Sequence, residues 1–492
     1  QSIATGLPID LSKGLGGNTY TGGRASFLWR ASDDLKLNLM FATQKLEEDG
    51  DTTIDIRLGG YRSVALEASG VSEINRDEFD ITNLVLEYNL DWATLVGTFS
   101  KIEGEAERQF VATDDFLAGT IRNYTADKSG DVFEVRLASS LDGPLQFVAG
   151  LYYEDFELHG GQLGEWTGDP DNSPVPPLPN TKGPNGFPIT YRFPINFQQS
   201  LEHKAVFGEV TYAINTRWEI TAGGRWFDYD RRDNNFGSEF FGFFGQSDLS
   251  TSEQDSNYKI NVSYTPNDDT LLYAQWTEGF RVGSGQTLPP ASVCDTDNNG
   301  KLDFTDAELD PSVDSDSTTN YELGAKLTLL DNQFTLNAAL YRIDWEAIPI
   351  NVIDTSAVCP GNLAVIDNAG EALSEGIELE TRYYATPNLQ FSLSASYMET
   401  EILTEGIGTK GDRLPLAPRF NGSVGIQYDF EWSEYNAFLR SDYSYIGDFK
   451  SDGSFFLPDA ESYGKWNMRA GIEIDQWSFG MYANNITNED AL

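Results

Sequence analysis

Nine pairs of segments in this chain alternate apolar and polar residues, and a turn of two to five residues joins the two segments of each pair. In the clearest segment, 388–400, Leu389, Phe391 and Leu393 alternate with Gln390 and Ser392. Successive side chains of a strand point to opposite faces, so each segment has one apolar and one polar face. A much longer polar loop separates each pair from the next. Short turns alternating with long loops predict an all-β fold, a transmembrane antiparallel β-barrel with a polar interior.

Each pair is predicted to form a β-hairpin, which gives about 18 strands. The strands are expected at 24–30 and 35–44, 79–88 and 92–103, 131–139 and 145–156, 202–214 and 218–230, 257–265 and 270–281, 320–329 and 333–345, 375–385 and 388–400, 420–430 and 434–446, and 465–474 and 477–486. Charges on the polar faces would be costly toward lipid, so we expect these to face the lumen: Glu134, Arg136, Glu322, Lys326, Glu378, Glu380 and Arg382.

Aromatic residues gather near the ends of the predicted strands. They are Trp92, Tyr153, Trp218, Trp226, Tyr258, Tyr264, Trp345, Tyr383 and Tyr397. Aromatic rings at both membrane–water interfaces are typical of membrane barrels. We therefore expect these rings to form two girdles on the outer surface.

Composition excludes several classes of protein. No Pro/Gly/Ser-rich linker divides the 492 residues, so residues 1–492 are interpreted as one domain. The formal net charge of −44 argues against nucleic acid, and fits solubility in a saline habitat or loops that collect cations. A β-propeller or solenoid is disfavoured because no fixed repeat appears.

No catalytic constellation is visible, so the chain is predicted not to be an enzyme. The only two histidines, His159 and His203, are far apart in sequence. A barrel phospholipase would need a nucleophile and a histidine at the membrane rim, and His203 is the only residue that leaves this alternative open.

Five segments, in the expected order, resemble TonB-dependent outer-membrane receptors. They are Tyr273–Gly283 (YAQWTEGFRVG), Thr319–Lys326 (TNYELGAK), 368–380 (NAG followed by SEGIELE), 414–418 (LPLAP) and 484–489 (NNITNE). Each motif is weak alone, but together they cover the chain from near Gly22 to Leu492.

The resemblance implies a barrel of the 22-stranded type in the outer membrane of a Gram-negative bacterium. This chain would then be its incomplete barrel portion, lacking the N-terminal plug, about three earlier strands and one later strand. The implied function is energy-coupled uptake of a scarce nutrient, most often an iron–siderophore complex, with the TonB complex pulling on the plug. Oligosaccharide or another small molecule is an alternative ligand, and a passive porin or an adhesive barrel an alternative function. No motif identifies a surface lipoprotein or other outer-membrane partner.

Residues 295–306 (DTDNNGKLDFTD) have the spacing of an EF-hand calcium loop. Oxygen ligands would come from Asp295, Asp297, Asn299, Asp303, Asp306 and the carbonyl of Lys301. Gly300 occupies the position that requires glycine, whereas Asp306 stands where glutamate is usual. The sequence predicts a structural Ca²⁺ in an extracellular loop; a solvated acidic loop is the alternative.

Two further predictions concern the long loops. Cys294 directly precedes the acidic loop and Cys359 lies in the next long loop, which predicts a disulfide between them in an oxidising compartment. The longest predicted loop, 158–200, is rich in proline and contains Trp166, Tyr191 and Phe193, while Phe240 and Phe243 lie in the following loop. These five rings are candidate ligand contacts; packing among themselves is the alternative.

Overall fold

The computed structural model describes residues 17–49, 74–111, 120–166, 191–237, 246–286, 288, 295, 297–302, 308–353, 364–404, 410–450 and 459–489. These residues form strands and their connections, and they include no helix long and apolar enough to cross a membrane. The strands are β1 (Asn18–Arg30), β2 (Leu35–Asp49), β3 (Ile74–Leu90), β4 (Ala93–Val111), β5 (Thr120–Ser139), β6 (Leu145–Trp166), β7 (Tyr191–Ala213), β8 (Trp218–Gly237), β9 (Gln246–Asn267), β10 (Thr270–Arg281), β11 (Ser284–Gly285), β12 (Ser312–Val313), β13 (Asp316–Leu329), β14 (Phe334–Ile353), β15 (Ala364–Thr386), β16 (Leu389–Ile402), β17 (Phe420–Trp432), β18 (Tyr435–Ile446), β19 (Tyr463–Ile474) and β20 (Trp477–Ala483).

Eighteen of these strands form one antiparallel sheet, as the sequence predicts. All nine short-turn hairpins are present, and the long connections join neighbouring strands as well. β10 pairs directly with β13, because β11 and β12 form a separate two-stranded ribbon between them. In the described residues β1 pairs with β2 and β20 with β19. The expected additional strands and plug stay a prediction.

Polar turn residues fix the hairpins through their side chains. The Asn215 side-chain oxygen accepts backbone N–H bonds from Arg217 at 2.9 Å and from Trp218 at 3.1 Å. Ser32 Oγ does the same for Asp34 and Leu35. Asn and Ser are frequent in turns because their side chains satisfy backbone groups that the ladder leaves free.

The two faces of the sheet differ as the alternation predicts. On β13, Tyr321 is 49% and Leu323 60% exposed, whereas Glu322 between them accepts a bond of 2.6 Å from the Tyr273 hydroxyl. The same face bears cross-strand ion pairs, such as Lys259 with Glu209 at 2.8 Å. Large apolar side chains left exposed on one face alone are stable only against lipid. The polar face therefore lines the lumen.

Exposed aromatic rings form two bands on the lipid-facing side. The first aromatic band, near the short turns, includes Tyr88, Trp92, Tyr212, Trp218, Tyr428, Trp432 and Trp477. The second aromatic band, nearer the long loops, includes Trp226, Tyr258, Tyr321, Tyr397, Tyr443 and Trp466. Trp218 and Trp226 of β8 mark both bands on one strand, about eight residues or ~26 Å apart along it. That distance is close to the ≈25 Å height of the apolar band in outer-membrane barrels.

The prediction that Trp345 belongs to an aromatic girdle is wrong. Its ring lies on the lumen side, and its indole N–H donates to Asp316 Oδ2 at 2.9 Å. The period of two places Trp345 on the opposite face from Leu340, which is exposed to lipid.

Several strands are longer than predicted at the ends that carry the long loops. The predicted loop 158–200 is wrong in its bounds, because β6 continues to Trp166 and β7 begins at Tyr191. Beyond the second aromatic band both faces of a strand meet water, so polar residues occupy both faces and the alternation disappears. The hydrogen-bond ladder continues there without a sequence signal.

A charge on the lipid-facing side should destabilise the barrel in proportion to its depth. Leu439 of β18 lies between the two aromatic bands and is 53% exposed. We expect Leu439→Arg to lower the free energy of unfolding by about 2–4 kcal/mol, measured by denaturant titration in lipid vesicles. Leu439→Met is the control and should change it little. An unchanged stability for Leu439→Arg would contradict the lipid-facing assignment.

Candidate functional site at the mouth of the barrel

The mouth is the end of the barrel opposite the short turns, and its wall is uneven. β10 pairs with β9 only as far as Thr277 and Lys259, whereas β8 and β9 continue well beyond this point. Past Thr277, β10 passes on the inner side of β8, where Phe280 stacks on Phe227 with ring centroids 3.7 Å apart and planes 3° apart. The segment after β10 therefore enters the lumen.

The ribbon of β11 and β12 is anchored to the inner face of β8 and β9 by buried polar side chains. Tyr229 is 1% exposed, and its hydroxyl accepts the Gly283 N–H at 3.0 Å and donates to Glu253 at 2.9 Å. Ser315 Oγ lies 2.9 Å from the same hydroxyl. The Tyr229 hydroxyl thus connects both ends of the ribbon to β8, through Gly283 before β11 and Ser315 after β12.

A buried ion pair adds a second anchor on β8. Asp233 accepts bonds from Arg231 Nε at 2.9 Å and Nη2 at 3.1 Å, and its Oδ2 also accepts the Gly285 N–H at 2.9 Å. Arg231 Nη1 donates to the Gly283 carbonyl at 3.3 Å. Removing one member would leave a buried charge without its partner, which is strongly destabilising.

On the other side, the ribbon is attached to β15. The buried Gln286 side chain donates to the Ile366 carbonyl and accepts the Ile366 N–H, both at 2.6 Å. It also donates to the Asp310 carbonyl at 2.8 Å. Asn368 of β15 binds the Asp314 backbone through both its oxygen and its nitrogen, each at 2.8 Å. The ribbon therefore spans the lumen side from β8 and β9 to β15.

Beneath the ribbon, His203 lies in an aromatic cluster. Its ring meets the edges or faces of Tyr152, Phe227, Tyr229 and Phe280 at centroid distances of 5.5–6.5 Å. His203 Nδ1 lies 3.8 Å from Glu154, and its Nε2 is buried without a hydrogen-bond partner among the described residues. His203, the residue considered for a phospholipase site, thus belongs to the packed aromatic cluster at the mouth of the barrel.

The Arg281 side chain faces the open lumen beside this cluster. Arg281 donates to the buried Asp316 carboxylate from Nε at 3.1 Å and from Nη2 at 2.5 Å, and its guanidinium lies 5.7 Å from the Trp345 ring centroid. Asp316 is only 3% exposed, whereas the Arg281 side chain is 61% exposed. Asp316 binds one edge of the Arg281 guanidinium, and the remaining N–H groups face the lumen beside the Trp345 indole. Arg281 belongs to the GFR motif noted in the sequence, yet sequence alone does not indicate this geometry.

The five predicted ligand-contacting rings are only partly located. Trp166, Tyr191 and Phe193 belong to the paired ends of β6 and β7, with Trp166 opposite Tyr191, and their side chains are not among the described ones. Phe240 and Phe243 lie outside the described residues. The structure also shows that Phe197, within the predicted loop 158–200, stacks on Tyr124 on the inner wall, with ring centroids 6.0 Å apart.

Asp295 and residues 297–302 of the predicted calcium loop are among the described residues. Asp295 is 5% exposed and accepts the N–H groups of Asn299 at 2.9 Å and Gly300 at 3.0 Å. Gly300 has φ 81°, which a side chain would disfavour. Asp297 accepts the Asn299 N–H at 3.1 Å, and the Lys301 N–H donates to the Asn299 side chain. Asp303, Asp306, Cys294 and Cys359 lie outside the described residues, within which no group of three or more His, Cys, Asp or Glu side chains could hold a metal.

At the mouth, two ion pairs link the connection between β16 and β17 to the connection between β18 and β19. Arg413 Nη2 donates to Asp448 at 2.9 Å, and Lys450 lies 2.7 Å from Asp412. The hydrogen bond and the charge of Arg413 hold the pKa of the Asp448 carboxyl below its usual value. Both residues of each pair are partly exposed, so these pairs orient the loops more than they stabilise them.

Removing the Tyr229 hydroxyl should loosen the ribbon without opening the barrel. Tyr229→Phe leaves the Gly283 N–H and Glu253 without this partner, at a cost of about 1–3 kcal/mol. We expect amide hydrogen exchange to rise about tenfold or more at 283–286 and 312–316, with no change in the transmembrane strands. The control is Tyr428→Phe, at an exposed position in the first aromatic band, near the short turns. Unchanged exchange in the ribbon would contradict the anchoring role.

Comparison with known proteins identifies relatives for about half of the chain. The metal-pseudopaline receptor CntO of Pseudomonas aeruginosa is 26% identical over 249 residues, which is 50% of this chain and 31% of that receptor. The pesticin receptor of Yersinia enterocolitica is 23% identical over 234 residues, 46% of this chain and 31% of that receptor. The matched part thus spans about a third of the length of these curated relatives.

The fold matches a solved structure over almost the whole chain. The ferric yersiniabactin uptake receptor FyuA from Yersinia pestis superposes with a TM-score of 0.76 at 17% identity, covering 96% of this chain and 66% of that one. A sequence model of the family described as "TonB dependent receptor-like, beta-barrel" matches residues 17–486. The motifs, the eighteen-stranded sheet and these matches agree: this chain belongs to the TonB-dependent receptor β-barrel family of the Gram-negative outer membrane.

Proposed function

We propose that this chain is the barrel of a receptor that takes up an iron–siderophore complex by energy-coupled transport. The family match over residues 17–486 is the observation that carries the proposal. Relatives named as receptors for metal-pseudopaline and ferric yersiniabactin support a metal chelate as the cargo. The plug and the TonB complex would supply the energy coupling.

The chemistry of the mouth favours an anionic ligand with flat, conjugated groups. Metal chelators bind iron through charged oxygens, and a fixed guanidinium donates paired hydrogen bonds to such groups. Arg281 and Trp345 offer a cation and an indole side by side on the lumen side, and Tyr124 and Phe197 offer stacked rings higher on the wall. An oligosaccharide would use the rings but would gain less from the cation.

Uptake of radioactive iron tests the function directly. The full-length receptor is expressed in cells that lack their own siderophore receptors, and iron is supplied in medium conditioned by iron-starved cells of the source species. We expect accumulation that requires both the receptor and TonB. Accumulation that persists without TonB would indicate a passive channel. No receptor-dependent accumulation would exclude the iron cargo.

Replacing Arg281 should weaken capture of the ferric complex. Loss of charged hydrogen bonds worth about 1.5–3 kcal/mol predicts an apparent affinity lower by about 10- to 100-fold. The control is Arg342→Met on the lipid-facing side, where Arg342 makes a similar pair with Asp344 at 2.8 Å. We expect the concentration for half-maximal uptake to rise for Arg281→Met and not for the control. Equal uptake curves would remove Arg281 from the binding site.

We also propose that the loop 295–306 binds one structural Ca²⁺ through Asp295, Asp297, Asn299, the Lys301 carbonyl, Asp303 and Asp306. The buried Asp295 and the left-handed Gly300 support this, since both are features of EF-hand loops. We expect calorimetry to detect one site with a Kd of about 10⁻⁴–10⁻³ M, typical of extracellular modules. Asp295→Asn with Asp297→Asn should abolish it. The matched control is Asp331→Asn with Asp475→Asn, two turn residues whose positive φ asparagine also tolerates. Absence of a binding isotherm in the unmodified receptor would favour the solvated acidic loop.

We further propose the disulfide between Cys294 and Cys359, because the two cysteines lie in consecutive long loops. It would connect the acidic loop to the loop before β15, the strand that already holds the ribbon through Ile366. Linked peptides in a non-reduced digest are the expected finding, and two alkylatable thiols in the native receptor would exclude it.

A further inference from the structure

Where the lipid-facing residues end, the alternation of polar and apolar residues is reversed on β3, β4, β6 and β7. On β4, Lys101 and Glu103 form an ion pair at 2.9 Å on the outer face, while Ile102 between them faces inward and is 36% exposed. The other three strands repeat this order, with polar or charged residues on either side of an inward apolar residue. Exposed apolar side chains on the inner, water-filled side of the wall indicate a binding surface.

The inward apolar residues lie in one row that crosses six strands in register. From β2 to β7 the row consists of Ala42, Ile81, Ile102, Gly130, Phe156 and Leu201. Leu201 establishes that the row lies on the inner face, because it packs against the inner cluster of Ala205, Phe227 and Tyr229, and directly paired residues share one face of a sheet. We call this row the apolar belt. The spacing of neighbouring strands gives the apolar belt a length of about 24 Å.

The apolar belt is long and narrow. The row below it contains Asn83 and Ser100, whose side chains are joined by a hydrogen bond of 2.8 Å, and also Glu154. The row above it contains Lys128, whose aliphatic stem lies against Gly104. An extended aliphatic chain matches such a strip, whereas a folded domain would need a broader apolar face.

The apolar belt rises toward the mouth from β2 to β7. Ala42 directly follows Phe41, an exposed residue at the upper edge of the lipid-facing surface of β2. Leu201, in contrast, lies five residues beyond the exposed Val206 of β7, in the direction of the mouth. The belt therefore connects the wall of the upper lumen with the mouth.

At its upper end the apolar belt leads to the cation of the mouth. Leu201 and Phe280 pack against the same buried cluster, and Arg281 follows Phe280 in the chain. Lower on the same wall, charged pairs such as Lys36 with Glu87 at 2.7 Å interrupt the inner face. The belt is thus confined to the region where a ligand enters, whereas a plug in the lower lumen would face a more polar wall.

We propose that the apolar belt holds an aliphatic chain of the cargo, which is then an amphiphilic ferric chelate with its anionic end at Arg281. This inference rests on the proposed uptake function. The chain would run from Leu201 toward Ala42 and cover side chains that otherwise face water. Burial of its methylene groups would add affinity that the chelating end alone does not supply.

Identification of the iron complexes that the receptor retains tests this inference. The full-length receptor in lipid nanodiscs is incubated with medium conditioned by iron-starved cells of the source species and loaded with radioactive iron. Retained complexes are then eluted and identified by mass spectrometry. We expect an iron complex that carries an aliphatic chain. Retention of only chain-free iron complexes would overturn this inference and leave the uptake function standing, whereas retention of no iron would overturn the uptake function as well.

Substitutions in the apolar belt provide the second measurement. Ile81→Thr with Ile102→Thr makes the belt polar and keeps β-branched side chains, which suit a strand. We expect the apparent affinity for the eluted complex to fall about tenfold or more. The matched control is Val85→Thr with Val96→Thr, on the inner face of the same two strands but nearer the short turns. It should bind the complex as the unmodified receptor does.

Unchanged affinity in the belt variant, or an equal loss in the control, would overturn the inference. Unchanged affinity together with a new ion leak across planar bilayers would show that the plug covers the apolar belt instead. Heat-dependent migration on gels shows whether each variant has a folded barrel. If the belt variant does not fold, the identity of the complex eluted from the unmodified receptor still decides.

Discussion

Within the membrane, every backbone N–H and C=O group must find a partner inside the protein, because lipid offers none. Among the described residues, antiparallel pairing of neighbouring strands meets this demand on both sides of the wall strands from β2 to β19 within the apolar band. The same demand explains where the wall departs from regularity. β10 leaves β9 at Thr277, at the level of the second aromatic band, where water and headgroups begin to replace lipid. A strand that left its neighbour lower would expose an open edge to hydrocarbon.

The departure of β10 from the wall determines the architecture of the mouth. The segment that enters the lumen needs new partners for its polar groups, and buried side chains on the wall provide them. Tyr229 and Asp233 of β8 bind backbone groups of the ribbon segment, and Gln286 of that segment binds the Ile366 backbone of β15 in return. Asp316 completes the set by fixing Arg281 against Trp345. Exposed groups at the mouth, such as the Arg281 guanidinium, thus rest on a framework of buried, hydrogen-bonded polar side chains.

Sequence reasoning succeeds wherever lipid imposes a period of two. All nine hairpins, the inward charges such as Glu322, and most of the girdle rings follow from that single constraint. It fails where water lies on both faces, so nothing in the sequence distinguishes the outer ends of β6 and β7 from a loop. It also cannot place Trp345 or His203, because a ring near a strand end can face either way, and only the three-dimensional neighbours decide. The anchoring role of Gln286 has no sequence signal at all, since its partner Ile366 is eighty residues away.

The distance in sequence between the ribbon and β15 sets the order in which the molecule can assemble. Every neighbouring pair of the large sheet forms between strands that are consecutive or nearly so, and such local contacts close quickly. The bonds from Gln286 to Ile366 and from Asn368 to Asp314 cannot form until β13, β14 and β15 have all been laid down. The ribbon is therefore attached to the wall only after the strands that it bridges have formed, so the entrance narrows later than this part of the sheet assembles.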